Sequence, residues 1–185
     1  MATQPIYPLL TAEEFLDIDF GDHKAELDNG VIRMMAGGTQ RHARVQGNIF
    51  LALGNRLKGS GCTPYNSDMA TRTHSNSIRY PDVTVYCGRE GPEHDDDKSA
   101  EDPRVIFEVL SAGTARTDLT VKLAEYKAIP SVDAIVFVDI ATERLRVLLR
   151  PAPDTWNEVA HREPYDLLLP TLGITLPHTE IFARD

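Results

Sequence analysis

The chain has 185 residues, of which 42% are hydrophobic and 25% are charged, and its formal net charge at pH 7 is −9. These values indicate an ordinary soluble globular protein with a sizeable core, and we predict a single domain over residues 1–185. No run approaches the roughly 18 apolar residues that a membrane span needs, so we predict a cytoplasmic protein without membrane contact.

The N-terminal part predicts a short helix followed by a hairpin. Thr11 and Glu14 have the spacing of a capping box, which marks a helix start. Asn29-Gly30 separates the runs 24–28 and 31–35, and this dipeptide favours a type I′ turn because both of its positions adopt positive φ. Glu26, on the first of these runs, is by itself interpreted as a solvent-facing strand residue.

A long helix is predicted over residues 40–58, within a basic block of the chain. Apolar residues recur four apart along it, at Val45, Ile49, Leu53 and Leu57. Residues 31–80 carry seven Lys or Arg and one Asp, whereas residues 1–30 carry seven acids and one Lys. This asymmetry is typical either of a solvated helix face or of a phosphate-facing side, and both interpretations stay open.

Two strongly apolar runs each carry one carboxylate. Residues 62–86 predict two or three strands, and the last run, Ile78 to Tyr86, holds Asp82 directly after Pro81. Residues 88–104 are acid-rich and predict a surface loop. The second run, residues 105–111, holds Glu108 at its centre. Because so apolar a strand is covered on both faces, a carboxylate there costs several kcal/mol unless a charge or a metal meets it.

Glu108 therefore needs a partner, and the sequence offers Asp82, Lys122 and a divalent cation. A helix predicted over residues 118–128 carries Asp118, Lys122 and Tyr126 on one stripe, and its return along the sheet brings Lys122 near Glu108. Carboxylates on adjacent strands, with a carbonyl such as that of Val109, can ligate Mg²⁺. With a lysine beside them, these are the parts of a phosphodiesterase.

Simpler explanations of the same residues also stand. Asp118 and Lys122 could form only a surface ion pair, Asp82 could cap a turn, and Glu108 could pair with Lys122 without a metal.

Residues 134–140 and 144–150 predict two further strands, followed by loop and edge structure over 151–164. Cys62 and Cys87 have no metal-ligand spacing, and we interpret them as reduced thiols.

Several stretches together resemble the Uma family of restriction-endonuclease-like proteins. They are AELDNGVIRMM, a helix introduced by His42, RYPDVTVY, VIFEVLSAGTARTDLTVKLAEYKAIPSVDAIVFVDI and LPTLGITLP, and they span most of residues 24–182. Pro81-Asp82 followed by Glu108 is similar to the PD-(D/E)XK motif of the wider nuclease superfamily. That superfamily has a lysine two residues after the acid, where this chain has Leu110, and the resemblance places the lysine at Lys122 instead.

The resemblance implies an α/β fold: a restriction-endonuclease-like mixed β-sheet flanked by helices, with an N-terminal β-hairpin. It implies an Mg²⁺- or Mn²⁺-dependent endonuclease acting on nucleic acid, with DNA preferred over RNA. A homodimer is expected because nucleases of this size that cut both strands often need two copies.

The implied site assigns a role to each candidate residue. Asp82, Glu108 and the Val109 carbonyl would hold the metal, Lys122 would orient water, Glu26 would assist the metal or Lys122, Tyr126 would orient a neighbour, and Arg41, His42 and Arg44 would contact phosphates. Two alternatives remain: a nuclease-like binding or assembly module without catalysis, which the acidic charge favours, and hydrolysis of a small phosphoester.

Overall fold

The structure is a computed structural model that describes residues 9–111 and 118–184. Its helices and strands, in chain order, are α1 (Ala12–Leu16), β1 (Ala25–Asp28), β2 (Val31–Met34), α2 (Gln40–Leu57), β3 (Cys62–Asn66), β4 (Ala70–His74), β5 (Ser77–Arg79), β6 (Val83–Cys87), β7 (Ser99–Ala100), β8 (Val105–Leu110), a π-helical turn (Asp118–Lys122), α3 (Leu123–Ala128), β9 (Ala134–Asp139), β10 (Arg144–Ala152), β11 (Thr155–Ala160), β12 (Leu167–Leu169), β13 (Ile174–Leu176) and α4 (His178–Ile181). Short 3₁₀ turns lie at Pro92–His94 and Pro170–Leu172.

The largest sheet is mixed and has the strand order β11-β10-β9-β8-β6-β3. Strands β8 and β9 are parallel, and the other neighbours are antiparallel. One face packs against α2 and the C-terminal segment, and the other packs against α3. Glu108 therefore lies on a strand that is covered on both sides, as its apolar sequence predicts. The α/β class and the mixed sheet flanked by helices are confirmed.

A second sheet, in the order β2-β1-β5-β4-β7, packs against α1. Its β1–β2 hairpin turns at Asn29 and Gly30, whose φ values of 48° and 80° are those of a type I′ turn. The predicted hairpin is confirmed, and so is the helix start at Thr11, whose side chain accepts from the Glu14 backbone in a capping box. The four apolar residues predicted to form the core stripe of α2 are all buried.

The predicted strand from Ile78 to Tyr86 is wrong, because the run is divided between the two sheets. Strand β5 ends at Arg79 in the second sheet, and β6 begins at Val83 in the large one. Pro81 lies between them and has no N–H to donate to a strand ladder, so the chain leaves one sheet there and enters the other. Asp82 consequently stands at the seam between the sheets.

The helix predicted over residues 118–128 begins as a π-helical turn and becomes α-helical only at Leu123. A π turn holds one residue more than an α turn and is often found at functional sites. Lys122 is the last residue of this turn, so its direction is set partly by the irregularity. The side chain of Asp118 lies outside the described residues. Residues 155–160, predicted as loop and edge structure, form the edge strand β11.

The cysteines are joined in a disulfide between β3 and β6, so the interpretation as reduced thiols is wrong. Cys62 and Cys87 are directly opposite each other in the antiparallel register, with their Cα atoms 3.9 Å apart. A separation of 25 residues gives no sign of this pairing in the sequence. In the described ranges, no helix is long and apolar enough to cross a membrane.

Candidate active site

Two donors from residues 118–128, the segment that returns along the sheet, contact Glu108 in the protein interior. The Tyr126 hydroxyl donates to Glu108 Oε1 at 2.6 Å, and Lys122 Nζ lies 3.3 Å from the same oxygen. Glu108 is only 3% exposed and Lys122 only 6%, so their pairing is not a surface contact. Burial, followed by the negative charge of Glu108, raises the pKa of Tyr126 well above its usual range, and Tyr126 therefore acts as a donor.

Glu26 is the second carboxylate on Lys122, with Oε1 3.0 Å from Nζ. The same oxygen accepts from the backbone N–H of Tyr80 at 3.2 Å, which fixes the carboxylate at the seam between the sheets. Glu26 is 6% exposed, so its interpretation as a solvent-facing residue is wrong. The alternation of side chains along β1 does not by itself show which face is buried. That depends on the second sheet, which was not predicted.

Arg79 holds several of the neighbouring carboxylates through charged hydrogen bonds, and it was not among the predicted site residues. Its Nε and Nη2 atoms contact the two oxygens of Glu125 at 2.8 and 2.6 Å, and Nη2 is 3.0 Å from Asp28 Oδ1. Nη1 lies 3.4 Å from Glu26 Oε2. Burial would lower the pKa of Arg79, but Glu125 and its neighbours raise it above the ordinary value, so the cation is permanent. The sequence gives no clear signal for this role, because Arg79 is the last residue of the short strand β5, which contains one apolar residue, Ile78.

Carboxylates are concentrated around Lys122. Four of the described residues here have carboxylate side chains that are at most 14% exposed: Glu26, Asp82, Glu108 and Glu125. Lys122 pairs with Glu26 and Glu108. Arg79 pairs with Glu26 and Glu125. Because carboxylates that are gathered in a site of low dielectric repel one another, a cation is favoured there.

Asp82 is held at the edge of the sheet by β8 and α2. The Val109 backbone N–H donates to Asp82 Oδ2 at 2.7 Å, and the Gln46 side-chain amide donates to the Asp82 carbonyl at 2.9 Å. His42 Nε2 lies 3.4 Å from the same Oδ2. The neighbouring Asp82 carboxylate raises the pKa of His42 against the opposing effect of burial. His42 is thus part of the site.

These side chains line one cavity of about 470 Å³. Its walls include Glu26, Arg33, Gly38, His42, Tyr80, Asp82, Glu108, Val109, Ser111 and Lys122. Asp82 and Glu108 supply carboxylate oxygens and Val109 a carbonyl, which is the hard-oxygen set that Mg²⁺ and Mn²⁺ take. In residues 9–111 and 118–184, no three His, Cys, Asp or Glu side chains are already gathered as a metal cluster, and Glu108 is engaged by Lys122 and Tyr126.

Two of the three residues predicted to contact phosphates lie away from this cavity. Arg41 pairs with Glu143 at 3.0 Å, and neither Arg41 nor Arg44 belongs to the cavity wall. His42 does belong to it, as does Arg33, which was not predicted. Arg33 is on the exposed strand β2, and its side chain is 65% exposed at the cavity mouth.

A family model described as "Uma2: Putative restriction endonuclease" matches residues 12–178. The chain belongs to the Uma2 family. Membership confirms the family resemblance carried by the EVLS and RYPD stretches, and it places the protein among nucleases. The match covers every candidate site residue from Glu26 to Tyr126.

Proteins similar to this Uma2 chain include two uncharacterized proteins of Synechocystis sp. One, slr1290, is 25% identical over 174 residues, covering 91% of this chain and 89% of the relative. The other, sll1609, is 30% identical over 135 residues, covering 71% and 75%. A crystal structure from Anabaena variabilis, described as a "putative nuclease belonging to DUF820", superposes with a TM-score of 0.75 at 16% identity, covering 94% of this chain and 98% of that one. At that identity the likeness concerns the fold.

Proposed function

We propose that this Uma2 protein is an Mg²⁺- or Mn²⁺-dependent endonuclease that hydrolyses phosphodiester bonds in DNA. The observation that carries the proposal is the position of the Lys122 ammonium. It is held between Glu26 and Glu108 in the wall of a cavity that Asp82 also lines. The description of the family as restriction endonucleases supports DNA as the substrate.

The residues divide the work of hydrolysis among them. Asp82, Glu108 and the Val109 carbonyl would hold the cation, which when bound supplies Lewis acidity toward a phosphodiester oxygen. The Lys122 ammonium neutralises negative charge that develops on the phosphoryl oxygens and orients the attacking water. Glu26 holds Lys122 in place through their ion pair while Glu108 serves the cation. Arg33 at the cavity mouth is suited to a backbone phosphate.

Two observations support the binding of a divalent cation at this site. Four carboxylates with side chains at most 14% exposed lie around Lys122, and a divalent ion would offset their mutual repulsion. The donor set also contains no thiolate, because the cysteines of the described residues are in a disulfide at the far end of β6. Hard oxygen ligands favour Mg²⁺ and Mn²⁺ over softer metals.

A second candidate function is a nuclease-like binding module without catalysis. The observation that favours it is that Glu108 already has an ion pair with Lys122 and a hydrogen bond from Tyr126, so a cation would have to share this carboxylate with both. Measurement of Mn²⁺ binding separates the two functions, because a module of this kind has no need of the cation.

Nicking of supercoiled plasmid with Mg²⁺ or Mn²⁺ tests the proposal. We expect the wild type to nick and Glu108→Gln and Lys122→Met to lose at least about 100-fold in rate, since each removes an electrostatic group used in the transition state. Lys127→Met is the matched control, because Lys127 is on α3, directly after the turn that ends at Lys122, and is outside the cavity wall. Equal nicking by all four proteins, or none by a folded wild type that binds no Mn²⁺, would contradict the endonuclease.

Cleavage of both strands of a duplex would call for a second copy of the chain, and we propose a homodimer for that step. Analytical ultracentrifugation with and without a duplex measures this. A monomer that converts supercoiled DNA directly to the linear form would contradict it.

A further inference from the structure

We propose that His42 is a direct nitrogen ligand of the divalent cation, coordinating through Nε2 beside Asp82 and the Val109 carbonyl. The inference rests on the proposed metal-dependent function and deepens it. It changes the donor set from oxygen alone to oxygen and nitrogen, and it replaces the expectation that His42 contacts a phosphate.

The spacing between His42 and Asp82 suits two ligands of one ion. Nε2 and Oδ2 are 3.4 Å apart, longer than a good hydrogen bond. Two ligand atoms that are each about 2.1 Å from a metal stand about 3.0 Å apart in octahedral geometry and about 3.4 Å apart in tetrahedral geometry. An ion can therefore enter between the two atoms with little movement of either side chain.

The remaining predicted ligands lie in the wall of the same cavity as His42. Asp82, Glu108 and Val109 all line it. Val109 is tied directly to Asp82, because its backbone N–H donates to Asp82 Oδ2 at 2.7 Å, and this is the oxygen that faces His42 Nε2. A cation between His42 and Asp82 would therefore lie beside the strand that carries the other two predicted ligands.

The backbone of the chain orients the ring for this role. His42 is in the first turn of α2, where its N–H donates to the side chain of the N-cap Thr39 at 3.3 Å. Gly38 packs against the other ring nitrogen, since a Cβ at that position would stand 2.9 Å from His42 Nδ1. With Nδ1 facing Gly38, Nε2 is the nitrogen that faces Asp82 and the cavity.

A nitrogen ligand has a consequence for metal choice. Imidazole binds Mn²⁺ and later transition metals, whereas Mg²⁺ prefers oxygen donors and retains its waters. We expect His42→Asn to raise the dissociation constant for Mn²⁺ at least about tenfold, as loss even of groups that support a ligand does. The dissociation constant for Mg²⁺ should rise less, so the preference for Mn²⁺ over Mg²⁺ should narrow.

Pulsed electron paramagnetic resonance of Mn²⁺ bound to the full-length protein tests the ligation directly. The electron spin echo modulation of the wild type should contain a nitrogen-14 coupling from a bound imidazole. Labelling the wild-type protein with nitrogen-15 histidine should convert that coupling to the nitrogen-15 pattern without any change of sequence or fold. His42→Asn should lose the coupling, and His74→Asn should keep it, since His74 is an exposed residue that lies outside both cavities lined by His42.

The outcomes separate this inference from the proposed function. Mn²⁺ that binds tightly without a histidine nitrogen coupling would overturn the role of His42 and leave the oxygen site standing. A coupling that persists in His42→Asn would overturn it as well. A folded wild type that binds no Mn²⁺ would overturn both the ligand and the metal-dependent endonuclease. Because the isotope experiment uses the unaltered sequence, a variant that fails to fold does not prevent a decision.

Discussion

Replacement of Arg79 should destabilise the protein far more than replacement of a surface arginine with similar bonds. Arg79 is 1% exposed and makes charge-assisted contacts with Glu125, Asp28 and Glu26. In Arg79→Met these carboxylates lose their shared cation in a buried place. Removal of one member of a buried ion pair costs about 3–5 kcal/mol, and the whole free energy of unfolding of a domain is about 5–15 kcal/mol.

Urea unfolding followed by circular dichroism measures this free energy. Arg56→Met is the matched control, because Arg56 also forms a two-bond pair, with both contacts to Glu180 at 2.8 Å, but on the surface. Since exposed ion pairs contribute about 0–1 kcal/mol, the control should lose no more than that. Arg79→Lys should fall between, because an ammonium keeps the charge but cannot bond both oxygens of Glu125 in the same geometry.

A double-mutant cycle separates the ion pair from simple loss of packing. If unpaired Glu125 accounts for much of the cost, Glu125→Gln should be less harmful in the Arg79→Met background than in the wild type, with a coupling of at least about 1 kcal/mol. Additive effects of the two substitutions would refute the reasoning. So would a loss in Arg79→Met as small as that in Arg56→Met.

Three further predictions concern stability. Reduction of the Cys62–Cys87 disulfide, which closes a loop of 25 residues, should lower the free energy of unfolding by about 3.5 kcal/mol, measured in urea with and without reductant; no change would contradict the bond. Burial raises the pKa of Tyr86 to about 12 from an ordinary value of 10.0, so the folded state retains a proton that the unfolded chain has lost. The contribution of the buried Tyr86 proton to the free energy of unfolding is complete below about pH 10. It falls by about 2.7 kcal/mol as the pH rises to about 12. Tyr86→Phe should lack that fall in a comparison of unfolding curves. Tyr126→Phe should cost about 1.5–3 kcal/mol in the same measurement because it removes a buried hydrogen bond to the charged Glu108, and a cost within error of zero would show that the bond is not formed.

The elements that could be predicted from the sequence are those determined by nearby residues. Asn29-Gly30 fixes its turn through local φ preferences, and α2 follows from an apolar stripe with a four-residue spacing. The covered strand β8 follows from its continuous apolar run. The proximity of Glu108 and Lys122 could be predicted because a helix after a buried strand returns along the sheet. In the structure Lys122 Nζ lies 3.3 Å from Glu108 Oε1.

What could not be predicted depends on the second sheet and on register. The division of the run 78–86 at Pro81 requires knowledge that β5 pairs with β1 and β4 rather than continuing into β6. The burial of Glu26 follows from the same arrangement, and alternation alone leaves its face undecided. The disulfide depends on a strand register across 25 residues, which composition and spacing do not determine.

The position of the lysine gives the Arg79 network a role beyond stability. A lysine two residues after the acid on one strand has its direction fixed by the strand itself, because alternate residues share a face. Lys122 is instead on the π-helical turn before α3, so its distance from Glu108 depends on how that segment docks on the sheet. Glu125, three residues later, is tied to β5 through Arg79 and to β4 through the Thr73 hydroxyl at 2.8 Å. Arg79 and Thr73 therefore hold Lys122 in register without touching it, and substitutions at either should alter the site through α3.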